Sequence, residues 1–320
     1  MLMWSQAQPN IALVKYWGKR DVVRNLPAVG SLSITLDALY SRMSVDFLEN
    51  RGPDELVVNG EENSAMLSRV SGCIDRIAGN DRPAARIQSE SNFPLAAGLA
   101  SSASAFAALV LATCESVNQT ADTLAMARIA GSVSGSAARS FYGGFVELAA
   151  GDENIDVWSI VGPEDWPLKV VVAITETGPK PLSSGEAMIR CAKTSPFYDS
   201  WVERQPDDLA AAREAVDKRD FEQLAAVSEH NCLKMHSVMW ASRPPVVYWN
   251  NATIACMETV RDLQKKSEPV FFTIDAGPQL KAVCLPSAEE TVRDALSDTA
   301  GVVTTLVSGL GYGARVLEQS

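Results

Sequence analysis

The stretch from Pro94 to Cys114, PLAAGLASSASAFAALVLATC, decides how the rest of the chain is read. Its first half is built mostly of residues with little or no side chain: Ala96, Ala97, Gly98, Ala100, Ser101, Ser102, Ala103 and Ser104. Its second half turns apolar at Phe106, Leu109, Val110 and Cys114, the spacing of one buried helix face. A small-residue loop thus runs straight into a helix. The first turn of a helix leaves backbone N–H groups unpaired at its positive end, and without bulky side chains an anion can approach them closely. Two readings compete, a helix kept slim for close packing and a cradle for phosphate. Because no G-x-x-x-x-G-K followed by Ser or Thr occurs in the chain, such a cradle is not a Walker A loop.

At 320 residues, and with roughly 100 to 200 residues per domain as the usual range, two domains are expected. The 28 Lys and Arg against 39 Asp and Glu leave a net charge of −11, which argues against a nucleic-acid surface, although single basic residues can still meet phosphates. A hydrophobic content of 47% with 21% charged residues is that of a folded chain. The opening MLMWSQAQPN has no basic n-region, and no stretch reaches the ~18 apolar residues of a membrane span, so neither a signal peptide nor a span is expected. Six cysteines, Cys73, Cys114, Cys191, Cys232, Cys256 and Cys284, are scattered without a C-x-x-C pair. That usage fits a reducing cytoplasm better than a disulfide framework or a zinc site.

Upstream of the loop, Ala85 to Ser91 reads as the strand that delivers the chain into it, and Ser31 to Leu36 and Arg42 to Leu48 alternate polar and apolar residues as strands do. Leu56 to Val58 adds a short strand before an Asn59-Gly60 turn, and Met66 to Ala78 has helical spacing. Earlier still, Ile11 to Val14 leads into Lys15, Tyr16, Lys19 and Arg20, three cations and a phenol within six positions. Alone, that is the composition of a solvated turn. Beside a phosphate cradle, the lysines become point charges for phosphate and the phenol a neutral donor.

Downstream, a helix is expected from Thr120 to Gly131, then Ser134, Gly135 and Ser136 in a second small polar turn, with Arg139 three residues on. A lone Arg is ordinarily a surface residue. This one precedes the apolar segment Phe141-Tyr142-Gly143-Gly144, and a buried guanidinium needs a carboxylate or phosphate partner. Trp166-Pro167 marks a boundary before a strand from Val170 to Ile174. A loop with Pro179, Lys180, Pro181, Ser183, Ser184 and Gly185 enters helical sequence, and two helices from Asp207 to Trp240 end at Arg243-Pro244-Pro245. They carry both histidines, His230 and His236, read as structural or as polar lining because no G-x-S-x-G or H-E-x-x-H motif accompanies them. Asn251 is expected to cap a helix to about Lys266. Strands Val270 to Ile274 and Leu280 to Leu285 flank the turn Asp275-Ala276-Gly277-Pro278, a Ser287/Glu290 capping box opens a helix, and Val302 to Val307 is a strand. An Asp in such a turn is usually a turn former, but Asp275 follows five residues expected to be buried and so stands at the rim of a core.

Four of these segments resemble one family. PLAAGLASSAS fits P-x-x-x-G-L-x-S-S-A-S, the signature loop of the galactokinase, homoserine kinase, mevalonate kinase and phosphomevalonate kinase superfamily. PNIALVKYWGKRD from Pro9, SVSGSAARSFYGGF from Ser132 and DAGP from Asp275 are similar, in the same order, to segments of the diphosphomevalonate decarboxylases within it. The resemblance implies an α+β, two-domain small-molecule kinase fold. Residues 1–167 would form an N-terminal ATP-binding half like domain 2 of ribosomal protein S5, and 168–320 a ferredoxin-like half, with the active site in the cleft between. It also implies a homodimer, and the scattered thiols a cytoplasmic one. ATP and Mg2+ would be held by Ala97, Gly98, Leu99, Ala100, Ser101, Ser102 and Ser104, the metal mainly through ATP phosphates. Catalysis would fall to Asp275, Arg139, Asn10 and Lys15: Asp275 orients or deprotonates the C3 hydroxyl of mevalonate 5-diphosphate, and Arg139, steadied by Asn10, holds its carboxylate. Tyr16, Lys19, Ser134, Gly135, Ser136 and Ser184 match substrate-binding positions.

Three residues depart from the family pattern: Leu95 replaces a common Thr, Gln279 an Asn, and Gly185 an Arg found in several bacterial relatives. The last removes a cation from the phosphate-tail pocket. The implied reaction is ATP-dependent decarboxylation of mevalonate 5-diphosphate, with rivals. A kinase that stops after 3-phosphorylation would lack the carboxylate clamp, and a 5-monophosphate decarboxylase would differ in the tail pocket alone. A non-catalytic metabolite sensor would be expected to lose Asp275, and a nucleic-acid role borrowed from the S5-like fold is disfavoured by the net charge.

Overall fold

The computed structural model describes residues 3–49, 52–93, 101–119, 121–178 and 182–318. Strands β1 (Ser5–Ala7), β2 (Asn10–Val14), β3 (Lys19–Asp21), β4 (Leu26–Pro27), β5 (Ser31–Thr35) and β6 (Ser41–Phe47) open the chain. Strand β7 (Glu55–Val58) turns into β8 (Glu61–Glu62) through Asn59 and Gly60, whose φ values of 50° and 87° suit the two residue types that best tolerate left-handed backbone. Helix α1 (Ser64–Ala78) leads to β9 (Ala85–Ser91), and after it come α2 (Ser101–Ser116) and α3 (Thr123–Val133). A 3-10 turn (Ala137–Phe141), β10 (Phe145–Ala150) and β11 (Ile155–Val161) follow.

The remainder runs β12 (Lys169–Ile174), α4 (Ser184–Thr194), α5 (Tyr198–Lys218), α6 (Phe221–Trp240) and α7 (Asn251–Lys265). It closes with β13 (Val270–Ile274), β14 (Leu280–Cys284), α8 (Glu289–Ser297), β15 (Thr304–Ser308) and β16 (Arg315–Val316). The expected α+β class holds. Strands assemble into sheets ordered β16-β1-β6-β9-β7-β8, β11-β10-β5-β2 and β13-β14-β12-β15, with β3–β4 as a separate hairpin. No described helix is long and apolar enough to cross a membrane.

Burial explains the layering. α2 is buried nearly all round, from Ala103 to Cys114 apart from Ala105, as a helix apolar on every side must be. It packs with α1 and α3 against the first sheet. A second core lies between the β2-β5-β10 sheet, helices α5 and α6, and the third sheet: Ile11, Leu13, Leu32, Ile34 and Phe145 meet Val170, Val172, Ala212, Ala215, Phe271 and Val283. Trp166, at the expected boundary, is buried there and stacks on Phe145 at 5.1 Å.

Several expected element ends move, each for a local reason. α3 begins at Thr123, not Thr120, because the Asp122 side chain accepts the Ala125 N–H and caps it there. α7 is capped by Asn250, in a reciprocal box with Thr253, not by Asn251. The Ser287/Glu290 box does not form: Pro286 starts a 3-10 turn that places Ser287 inside the coil, and Ala288 occupies the cap without a side-chain bond. α5 begins at Tyr198 and runs through Pro206, well before Asp207, and β15 starts at Thr304 instead of Val302.

Candidate active site

Strand β2 loses its register with β5 between Ala12 and Val14, and this irregularity turns the chain out of the sheet at Lys15. The Lys15 Nζ donates to Ala12 O at 2.9 Å and to Asp275 Oδ1 at 2.7 Å, which joins the two halves of the sequence. Asp275 follows the fully buried strand β13. Its other oxygen, Oδ2, lies 3.4 Å from Lys281 Nζ on β14. The lysine side chains are 1% and 0% exposed whereas that of Asp275 is 24% exposed, so the cations lie deeper and the carboxylate is the most open of the three groups. Burial would raise the Asp275 pKa, but Lys15 and Lys281 outweigh it and hold the carboxyl well below the usual carboxylate range. Burial pushes the Lys281 ammonium down against the pull of Asp275.

Arg139 sits in the 3-10 turn and is 2% exposed. Its Nε donates to Asn10 Oδ1 at 3.1 Å and its Nη1 to Ser31 Oγ at 2.8 Å. Asn10 is oriented in turn, its Nδ2 donating to Ser136 O at 3.1 Å and Ser140 Oγ at 2.8 Å. Among the described residues no carboxylate lies within salt-bridge distance of this guanidinium. Burial pushes its pKa down to about 10, with Asp275 pulling the other way, and it stays protonated at neutral pH. A buried cation with only neutral partners is an unmet demand for an anion.

Among the described residues the buried Tyr16 hydroxyl has no hydrogen-bond partner, and burial pushes its pKa up to about 12, so it is a neutral donor. It reaches over Gly135 so closely that a methyl group there would run into it. Gly135 stands between Ser134, which ends α3, and Ser136, which opens the Arg139 turn. Ser134 Oγ meets Ser102 Oγ of α2 at 3.3 Å, linking the two small-residue segments. Lys19, on the β3–β4 hairpin, points at the start of α4: its Nζ is 3.7 Å from where a Cβ on Gly185 would stand, next to Ser184. Burial and the nearby Arg69 both lower the Lys19 pKa.

Of the loop residues, Ala97, Gly98, Leu99 and Ala100, with Leu95 and Lys180, lie outside the described residues. Ser101 is the first residue of α2, and Ser104 is fully buried, bonded to Ser41 Oγ at 2.8 Å. Gln279, one of the departures, is fully buried; its amide accepts from Thr175 N and donates to Glu176 O, both at 2.6 Å. His236 is buried, its Nε2 within 3.1 Å of Ile274 O and 3.2 Å of Trp249 Nε1, and burial pushes its pKa down to about 3. Sequence reasoning missed Lys281, whose signal is a lone charge within an otherwise apolar strand. It also missed Ser31, and Arg69, which donates to Val133 O at 2.8 Å and lies 4.5 Å over the Phe106 ring.

Comparison with known proteins covers nearly the whole chain. Residues 7–159 match the diphosphomevalonate decarboxylase-like N-terminal domain, and 170–305 the mevalonate 5-diphosphate decarboxylase C-terminal domain. The chain is 32% identical to diphosphomevalonate decarboxylase mvd1 of Aspergillus fumigatus over 96% of its own length and 82% of that protein's. Mevalonate diphosphate decarboxylase from Staphylococcus aureus superposes with a TM-score of 0.93 at 32% identity, over 99% of both chains. A structure of MDDEF in complex with MVAPP, AMPPCP and magnesium gives a TM-score of 0.92 at 31% identity, covering 100% of this chain and 99% of that one.

Proposed function

We infer the function from the premise that the chain belongs to the diphosphomevalonate decarboxylase family: it catalyses the ATP-dependent decarboxylation of mevalonate 5-diphosphate to isopentenyl diphosphate, CO2, ADP and phosphate. The observation that carries this reading in the geometry is Arg139. A kinase acting on an alcohol has no use for a buried guanidinium with neutral partners beside the catalytic carboxylate, whereas a decarboxylase must hold a substrate carboxylate there.

The chemistry divides into two steps. The C3 hydroxyl oxygen bonds the γ-phosphorus as the P–O bond to ADP breaks and the hydroxyl proton passes to the phosphate oxygens, which turns a poor leaving group into a good one. The C3–O bond then breaks with its electron pair leaving on phosphate, while the C1–C2 bond pair becomes the new double bond and C1 departs as CO2. Asp275, anionic and pinned by two lysines, accepts a hydrogen bond from the C3 hydroxyl and aims its oxygen; Lys15, at 2.7 Å from Asp275, adds positive charge where the transferring group is negative. Arg139 and Asn10 hold the carboxylate. Tyr16, Lys19, Ser134, Gly135, Ser136 and Ser184 receive the diphosphate.

Among the described residues no cluster of three His, Cys, Asp or Glu is placed to hold a metal, and Asp275 is occupied by lysines. Mg2+ held mainly by nucleotide phosphates is compatible with this, and when bound there it would neutralise charge during transfer. In this reading the nucleotide-side residues are Ala97, Gly98, Leu99, Ala100, Ser101, Ser102 and Ser104, the halves are 1–167 and 168–320, and the enzyme is a cytoplasmic homodimer. Six buried, unpaired cysteines support the reducing compartment.

The test is to incubate the protein with ATP, Mg2+ and each of mevalonate, its 5-phosphate and its 5-diphosphate, measuring ADP and CO2 separately. Equal ADP and CO2, greatest with the diphosphate, is expected. ADP without CO2 would make it a 3-kinase, and faster turnover of the monophosphate would change the substrate.

A further inference from the structure

Lys15 is held by more than its ion pair. Having left the sheet, its backbone would lack partners, yet both peptide groups are taken by side chains of the opposite half. The Lys15 N–H donates to Asn231 Oδ1 on α6 at 2.7 Å, and the Lys15 carbonyl accepts from Gln205 Nε2 on α5 at 2.8 Å. Asn231 and Gln205 are 0% and 1% exposed. The Asn231 amide nitrogen donates to Gln205 Oε1 at 2.8 Å and to Asp208 Oδ2 at 2.6 Å, and Asp208 pairs with Lys234 at 2.7 Å. Every donor and acceptor direction in the pair is therefore fixed. Reversing the Asn231 amide would set N–H against N–H at Lys15 and carbonyl against oxygen at Gln205 and Asp208.

The same face of α6 also grips the strand that carries Asp275. One residue on, Cys232 Sγ accepts from Ile274 N at 3.2 Å, and one turn further His236 Nε2 meets Ile274 O at 3.1 Å. One helix thus fixes the residue before Asp275 and the backbone of Lys15, which come from opposite ends of the sequence.

We propose that Asn231 and Gln205 are positioning residues for the reaction, a buried amide clamp that sets Lys15 against Asp275. The kinetic part rests on the decarboxylase reading; the geometric part does not. Neither residue faces the cleft, so both act through Lys15. The experiment uses Asn231→Ala and Gln205→Met in the full chain, alone and combined with Lys15→Met, with folding checked by circular dichroism. Each single variant is expected to lower kcat by about 10 to 10²-fold at nearly constant KM, the cost of misplacing a catalytic group. In the Lys15→Met background the same change should cost less than about twofold, because the clamp has nothing left to place. By 13C NMR, the Asp275 carboxyl should titrate higher in the clamp variants. Losses that multiply in the double variants, or an Asp275 titration that does not move, overturn the proposal. If neither clamp variant folds, amide exchange in the native protein decides: slow exchange at Lys15 is expected, and fast exchange overturns it. If the wild type releases no CO2 from any mevalonate phosphate, the decarboxylase reading fails, while the Asp275 titration still judges the clamp.

Discussion

Lys281 lies 3.4 Å from the Asp275 carboxylate on the side away from Lys15, and it is wholly buried. One anion between two ammonium groups leaves local positive charge in a protein whose net charge is −11. Such a carboxylate is a strong fixed acceptor and a weak proton sink, because either lysine would be left poorly compensated by its protonation. Arg139 adds a third buried cation close enough to feel Asp275. A polyanionic substrate is the natural complement of this surplus.

Replacing Asp275 with Asn keeps the shape of that acceptor and removes its charge. Asp275→Asn is expected to lower turnover by about 10² to 10³-fold, the usual cost of removing one positioned electrostatic partner of the reacting group, while ATP and substrate still bind. Steady-state kinetics and equilibrium binding on the purified variant check this. Turnover near the wild-type rate would remove Asp275 from the mechanism.

On the proposed reading Arg139→Gln would delete a charge-assisted contact to the substrate carboxylate, about 1.5 to 3 kcal/mol or roughly 10 to 10²-fold in rate. The carboxylate matters most when CO2 leaves, so ADP formation should suffer less than CO2 release and the two should separate. Strict equality of ADP and CO2 at an unchanged rate would show that Arg139 holds something else.

Gly185 itself supplies no cation beside Lys19, and of the nearby cations Lys19 is the one that points at the start of α4 while Arg69 lies close by, so on the proposed reading Lys19 is expected to discriminate between one phosphate and two. Lys19→Ala is expected to narrow the preference for the 5-diphosphate in kcat/KM, raising its KM more than it lowers kcat, as loss of uniform binding does. Kinetic curves for both substrates with both proteins decide it. An unchanged ratio would place Lys19 away from the tail.

His236 should make the fold acid-sensitive. Burial holds its pKa near 3 against 6.5 for a free imidazole, so in that window the unfolded chain binds a proton that the native protein refuses. Stability is complete above about 6.5, falls by up to about 1.4 kcal/mol per pH unit as pH drops, and levels off below about 3. Comparing urea unfolding at about pH 7 and 5, His236→Gln should lose about 2 kcal/mol less than the wild type. Equal losses would mean that the ring is protonated in the native state.

What could be read from the sequence was what local chemistry encodes. Strand β13 was legible to the residue, since an apolar and β-branched run bounded by turn formers leaves little choice, and β9 from its place as the segment that delivers the chain to the small-residue loop. Asp275 was legible as a carboxylate on the rim of β13. The Ser287 box failed because a preceding proline outcompeted it. Lys281 could have been suspected as a charge in a buried strand, but no spacing says that it turns toward Asp275. The amide clamp was beyond reach, because Asn231 and Gln205 meet Lys15 across 216 and 190 residues of chain.

The apolar core between the sheets bears on motion. Ile11, Leu13 and Phe145 from the N-terminal part of the chain and Phe271, Val283 and Ala212 from the C-terminal part belong to the same packed interior. Buried Glu147 on β10 is tied to Arg213 on α5 across the same junction. Halves joined by a large apolar interface do not swing freely. A clamshell opening would drag these side chains into water, so the segments that carry Lys15 and Asp275 are expected to keep their separation during turnover. Substrates would then enter and products leave by local rearrangement, over a floor that stays still.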